Sequence, residues 1–313
     1  MIEKYYDGAI EQVAAGLGTV EKNYLLVRYS GQFSVENLND TKQLEKNEDI
    51  FVQVHEFETG EITCAYEPYL TMICDGFRRY MTGTFEEFME TCDVYYLHRP
   101  VLLGYFNQDN TGREEIILLD EVAYEQERML AALERMLCAI ADRHPVLFVL
   151  NRFQLASKST MQLTARFLKC ENCNIGLVLG VSDIQAMPEF LVPDWEMLYE
   201  TLDDGSKIYH IGNSGRKKEE TIDDEKYVDY GSEKVYRKLQ NMVEFLDFDQ
   251  AAYYLETIER KIKFDNLLVD DAARFRMWLL FVKVSILRQD IPKALEICED
   301  LEKIHLAGKE EEC

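Results

Sequence analysis

The chain lacks an apolar run of the roughly 18 residues that a membrane-spanning helix needs. Its first residues, Met1-Ile-Glu-Lys-Tyr-Tyr-Asp7, have neither the basic head nor the apolar core of a secretory signal, so a cytoplasmic location is expected. Positive charge is scarce: 34 Lys and Arg stand against 58 Asp and Glu, a net charge of -24. Such a balance opposes non-specific binding to nucleic acid or to an anionic membrane, because both depend on cationic contacts. It favours solubility and a protein partner of basic character. Histidine is rare, and His55, His98, His144, His210 and His305 form no pair at i, i+3 or i+4. Neither G-x-S-x-G nor H-E-x-x-H occurs. The eight cysteines are scattered, as expected of reduced thiols. Only Cys170-Glu-Asn-Cys173 has metal-ligand spacing. A structural zinc site wants two such pairs, so this one reads as a turn between a helix and a strand.

What is present is an alternation of strand and helix. A chain of 313 residues with 47% hydrophobic content can bury a substantial core and divide into two domains. Glu3 to Ala15 reads as an amphipathic helix, and Tyr24 to Arg28 as a short strand. Ile50 to Val54 follows as a strand and Leu70 to Tyr80 as a helix. The acid pairs Glu114-Glu115 and Asp120-Glu121 bracket the apolar run Ile116 to Leu119. Asp120-Glu121 sits ahead of the long helical run Ala123 to Arg143, where acids favour the helix dipole. Val146 to Leu150 is a buried strand ending in Asn151-Arg152. A helix over Thr160 to Lys169 and a strand over Ile175 to Val181 come next, the latter ending in Ser182-Asp183. Trp195 to Leu202 reads as a helix and Lys207 to Ile211 as a strand.

In order and spacing these elements resemble the core of STAND-type ATPases, relatives of the AAA+ proteins. The stretch Val146 to Ala156 is similar to their Walker B region: Gln154 and Ala156 match, Leu155 replaces Trp and Ser157 replaces Asp. Where two acids help hold Mg²⁺, the chain has Asn151 and Arg152. After Arg28 a P-loop would supply G-x-x-x-x-G-K-[ST]. The sequence there is Tyr29-Ser-Gly-Gln-Phe-Ser-Val-Glu-Asn-Leu38. In one register Val35 falls on the Lys position and Glu36 on the Ser/Thr position. In the other, Glu36 replaces the second glycine, Asn37 the Lys and Leu38 the Ser/Thr. Both put Glu36 where phosphate would lie. The resemblance implies a P-loop-like α/β domain over residues 1–212 with a parallel sheet and flanking helices. Its degenerate nucleotide pocket would be formed by Gly31, Ser34, Asn37 and Asn151, with no catalytic residue, no metal and no resident cofactor. ATP or ADP would be held there only through apolar packing of the adenine, without Mg²⁺.

Residues 213–233 are polar and charged, with Arg216-Lys-Lys-Glu-Glu220 at their head, and read as a linker. Beyond them the pattern is helical: Lys234 to Leu246, Gln250 to Lys263, Asp271 to Arg288, and Pro292 to His305. Phe245-Leu-Asp-Phe-Asp-Gln-Ala251 lines up with Arg288-Gln-Asp-Ile-Pro-Lys-Ala294. With Trp278 ahead of Ala294, this resembles tetratricopeptide repeats over 234–313. Val282 and the lack of a closing Pro depart from that pattern. Tyr253, Tyr254, Phe275, Trp278 and Phe281 are expected in the helical core, with Tyr254 and Trp278 also candidates for partner contact. The expected function is that of a non-catalytic regulatory or scaffolding protein acting through protein contacts. Two alternatives stand beside it. One is an ATPase switch with a relocated metal site at Asp120, Glu121 or Asp183. The other is a structural subunit of a larger complex.

Overall fold

The computed structural model describes residues 2–19, 23–29, 49–58, 60–109, 121–170, 174–182, 187–203, 208–211, 229–265 and 267–311. The chain divides into two compact units. One comprises Met1–Asn110 with Met129–Glu225, the other Thr111–Arg128 with Lys226–Cys313.

The first unit is α/β. Its strands are β1 (Asn23–Tyr29), β2 (Phe51–Glu56), β3 (Val146–Asn151), β4 (Ile175–Ser182) and β5 (Ile208–Ile211). They form one sheet in the order β2-β3-β4-β1-β5, with every neighbouring pair parallel. Its helices are α1 (Ile2–Gly16), α2 (Tyr69–Tyr80), α3 (Phe85–Thr91), α4 (Arg99–Asn107), α5 (Val122–Ala141, shared between the units from Met129), α6 (Lys158–Lys169) and α7 (Val192–Asp203). β3 and β4 are buried at every position, as strands covered on both faces must be.

The two-residue period of a strand divides the sheet's side chains between its faces. On one face, Ala9, Ile10 and Val13 of α1 pack on Leu25, Val27 and Tyr29 of β1, Leu147 and Val149 of β3, and Val178 of β4. Gly176 belongs to this face, because a Cβ there would stand 2.8 Å from Val13 Cγ1 and 3.1 Å from Leu147 Cδ1. On the other face, the Tyr69 ring of α2 meets Phe148 at 4.7 Å and Phe167 of α6 at 5.2 Å. Its hydroxyl pairs with the Thr164 hydroxyl at 2.6 Å. Local signals start the helices: Thr84 and Glu87 form a reciprocal capping box on α3, and the Ser157 hydroxyl accepts from Thr160 N at the head of α6. The helices α3 and α4 lie in a stretch that the sequence reading left unassigned. The run Ile116 to Leu119 lies outside the described residues.

The second unit is helical: the opening turns of α5, then α8 (Glu233–Glu244), α9 (Phe248–Phe264), α10 (Asp271–Leu287) and α11 (Ile291–Glu311). Gln126 of α5 donates from Nε2 to the Leu246 carbonyl at 2.6 Å. The α8–α9 and α10–α11 turns are built alike. Leu246 (φ 66°) and Gln289 (φ 61°) both take the left-handed conformation. The next amide in each turn, Asp247 N or Asp290 N, reaches back 2.8 Å to Met242 O or Ser285 O. That is the six-to-one bond of a Schellman helix end. Each Asp carbonyl then accepts the amide of a buried alanine, Ala251 or Ala294.

Candidate functional site at the carboxyl edge of the sheet

Strand order fixes where a ligand crevice is expected. The chain leaving β1 must travel to β2 at one edge of the sheet, whereas the chain leaving β4 must travel to β5 at the other. In an open α/β sheet, a reversal of this kind leaves a crevice beyond the strands' carboxyl ends. The residues placed at that edge are Tyr29, Glu56, Asn151 and Ser182, which end β1, β2, β3 and β4.

Their side chains engage one another. Tyr29 and Asn151 lie on the α1 face, and the Tyr29 hydroxyl donates to Asn151 Oδ1 at 2.6 Å. The Asn151 carbonyl accepts from Phe57 N at 3.1 Å, so both its side chain and its backbone are held. Tyr29 is 1% exposed and Asn151 is fully buried. Burial pushes the Tyr29 phenol up to about 12, opposed by the nearby Arg152 guanidinium and by the Asn151 hydrogen bond. The hydroxyl is therefore a proton donor at any physiological pH.

Arg152 takes a left-handed backbone conformation (φ 53°), which turns the chain out of β3 into the short 3₁₀ turn Phe153–Leu155. Its Nη2 lies 3.3 Å from Glu56 Oε1, in register beside the end of β3. Gln154 clamps the end of β4 from both sides of one amide. Its Nε2 donates to Ser182 O at 3.1 Å, and its Oε1 accepts from Ser182 N at 3.3 Å. Behind this edge a buried hydroxyl group fastens the segment before α2. The Thr160 hydroxyl donates to Glu67 O at 2.9 Å, and the Ser159 hydroxyl accepts from Tyr66 N at 3.0 Å.

Of the residues proposed from sequence for the degenerate pocket, Asn151 stands at this edge. Gly31, Ser34 and Asn37 lie outside the described residues, as do Asp120 and Asp183. Glu121 is in the turn that opens α5. Among the described residues no group of three or more His, Cys, Asp and Glu is arranged to hold a metal ion. The sequence reading missed Tyr29 and Glu56 as participants. The signal for Tyr29 was its alternation with Leu25 and Val27, which puts it on the covered face.

In the helical unit, Trp278 is fully buried, its ring 6.4 Å from Phe281. It is therefore a core side chain and does not present itself to a partner. Tyr254 is half-buried, with its ring 5.4 Å from that of Tyr253. Phe275, expected in the core, is instead 37% exposed. With Leu279 and Ile286 it forms an exposed stripe at helical spacing on α10, and Ile291 and Leu295 expose a second on α11. These two helices pack against each other.

No helix among the described residues is long and apolar enough to cross a membrane. No protein-family model matches the chain, and no curated protein matches it.

Proposed function

We propose that the chain is a non-catalytic regulatory or scaffolding protein built on a degenerate STAND-type ATPase domain, and that it acts by contact with another protein. The observation that carries this reading is the hydrogen bond from the Tyr29 hydroxyl to Asn151 Oδ1, 2.6 Å long and buried. A nucleotide-hydrolysing site needs carboxylate oxygens at the end of the equivalent strand to help hold Mg²⁺. Here a neutral amide is oriented by a phenol reaching across from the P-loop-position strand, and the next position is a guanidinium set against Glu56. Among the described residues, the phenol, the guanidinium and the Glu56 carboxylate at this edge are engaged with neighbours in the protein. The placement of β4 beside β1 and β3 supports reading β4 as a sensor-like strand, and Gln154 holds that strand's end.

The matching turns of the two helical hairpins support the tetratricopeptide-like reading of the second unit. Its exposed apolar stripes support a role in protein contact, because a run of large apolar side chains left in water favours association. The exposed acids Glu299 and Glu302 flank the α11 stripe, and the chain carries a net charge of -24. The occupant is therefore a basic protein segment with an apolar face.

Calorimetric titration with ATP and with ADP, with and without Mg²⁺, tests the reading. The expected result is no heat at millimolar nucleotide and no shift in melting temperature, since a ligand at about 100 times its Kd would add about 2.7 kcal/mol of stability. Micromolar binding, or Mg²⁺-dependent hydrolysis lost on Glu121→Ala, overturns it.

A further inference from the structure

The thiols of Cys138 on α5 and Cys170 at the C-terminal end of α6 lie 3.7 Å apart, both part-buried, although 32 residues separate them in sequence. Both belong to the first unit. Neither takes part in the carboxyl-edge site.

Their approach is set by backbone and by an ion pair. Cys170 N donates to Arg166 O at 2.9 Å, and the Cys138 carbonyl accepts from Asp142 N at 2.8 Å, so each backbone is held by its own helix end. Four residues before each cysteine stands its partner in a second rung: Arg166 Nε contacts Glu134 Oε2 at 2.7 Å. Residues four apart lie one above the other on a helix. The ion pair and the thiol pair therefore form two rungs between the same helices, in the same register. The motif Cys170-Glu-Asn-Cys173, read from sequence as a turn, gave no sign that Cys138 stands against Cys170.

We propose that Cys138 and Cys170 are a modification site, a dithiol that a low-molecular-weight disulfide oxidises to an intramolecular cross-link between α5 and α6. In the first step the Cys170 thiolate attacks a sulfur of glutathione disulfide, forming a mixed disulfide and releasing one glutathione thiolate, which takes up the proton Cys170 lost. In the second step Cys138 sulfur attacks Cys170 sulfur. The protein disulfide forms, the second glutathione leaves as thiolate, and it takes up the Cys138 proton. Two protein thiols are oxidised and one glutathione disulfide is reduced to two thiols. Burial, then Cys170, Glu134 and Asp142, push the Cys138 thiol up from its usual range, so Cys138 acts second, where proximity replaces thiolate abundance. The cross-link closes a loop that contains β3, Asn151 and Gln154. The inference does not rest on the pseudo-ATPase reading.

The test is incubation of the purified full chain with glutathione disulfide, alkylation of the remaining thiols, and peptide mapping by mass spectrometry. The expected product has lost two hydrogens and yields one linked peptide pair joining Cys138 to Cys170, also in the Cys173→Ser variant. In urea the linkage shifts to Cys170–Cys173, because a short loop closes at least entropic cost once the fold no longer selects the pair. With Cys173 also changed to Ser, Cys138→Ser retains glutathione on Cys170. The oxidised wild type melts several degrees above its reduced form, and Cys138→Ser shows no such rise. A native product linked Cys170–Cys173, glutathione retained on both cysteines without a link, or no oxidation at all overturns the proposal.

Discussion

Tyr29 places a phenol where ionisation is unfavourable, and its pKa ties one residue to a measurable pH dependence. Its folded-state value is raised to about 12 by burial, above the ordinary value of 10.0. For a group raised in this way, the stabilisation is full below the unfolded pKa and is lost as pH climbs through the folded one. Urea unfolding of the wild type should therefore lose about 3 kcal/mol from this group between pH 10 and about 12. Tyr29→Phe should cost about 1–2 kcal/mol at neutral pH, through the lost partner of a buried amide, and fall less steeply in that alkaline window. Tyr105 is likewise pushed up to about 12 by burial and is present in both proteins, so the difference between the two curves isolates Tyr29. Parallel curves would show that the Tyr29 hydroxyl is not held as described. Asn151 was legible in the sequence as the residue standing where an acid is wanted. Its partner was not, because Tyr29 and Asn151 are 122 residues apart and only strand order brings them together.

Among the elements, α10 separates its two faces sharply enough to be tested by paired substitutions. Trp278→Ala, in the fully buried face, should cost about 3–5 kcal/mol in chemical denaturation. Leu279→Glu next to it, and Leu295→Glu on α11, should each change stability by no more than about 0.5 kcal/mol. A large loss from either Glu variant would mean that this face is packed. In the sheet, Gly176→Ala should cost about 1–3 kcal/mol, because its new Cβ would meet Val13 Cγ1 at 2.8 Å and a stiff β-branched side chain cannot swing aside. A neutral outcome would show that α1 shifts to accommodate it. The extents of most helices and strands were legible from apolar periodicity. α3 and α4 were not assigned, and Phe275 was placed on the wrong face. α10 is apolar nearly all round, so its pattern alone does not say which side is covered.

For the whole molecule, charge dominates what is measurable without a partner. A chain carrying a net charge of -24 repels itself when compact, and salt screens that repulsion. Raising NaCl from about 20 to about 300 mM should therefore raise the melting temperature by a few degrees, with the Debye length falling below about 10 Å. A fall would mean that the ion pairs, such as Glu259 with Lys263 and Lys293, outweigh the net repulsion.

The sequence by itself determined the alternation of strands and helices, the two-part organisation, the excess of acid, and the neutral and cationic residues at Asn151-Arg152. These are local properties, carried by periodicity, composition and adjacent residues. Tertiary structure decided what depends on residues far apart in the chain. It set the order β2-β3-β4-β1-β5, joined Tyr29 to Asn151 and Cys138 to Cys170, and gathered 121–128 with the helical unit. Such pairings follow from which buried faces fit together, and no window of neighbouring residues encodes that fit.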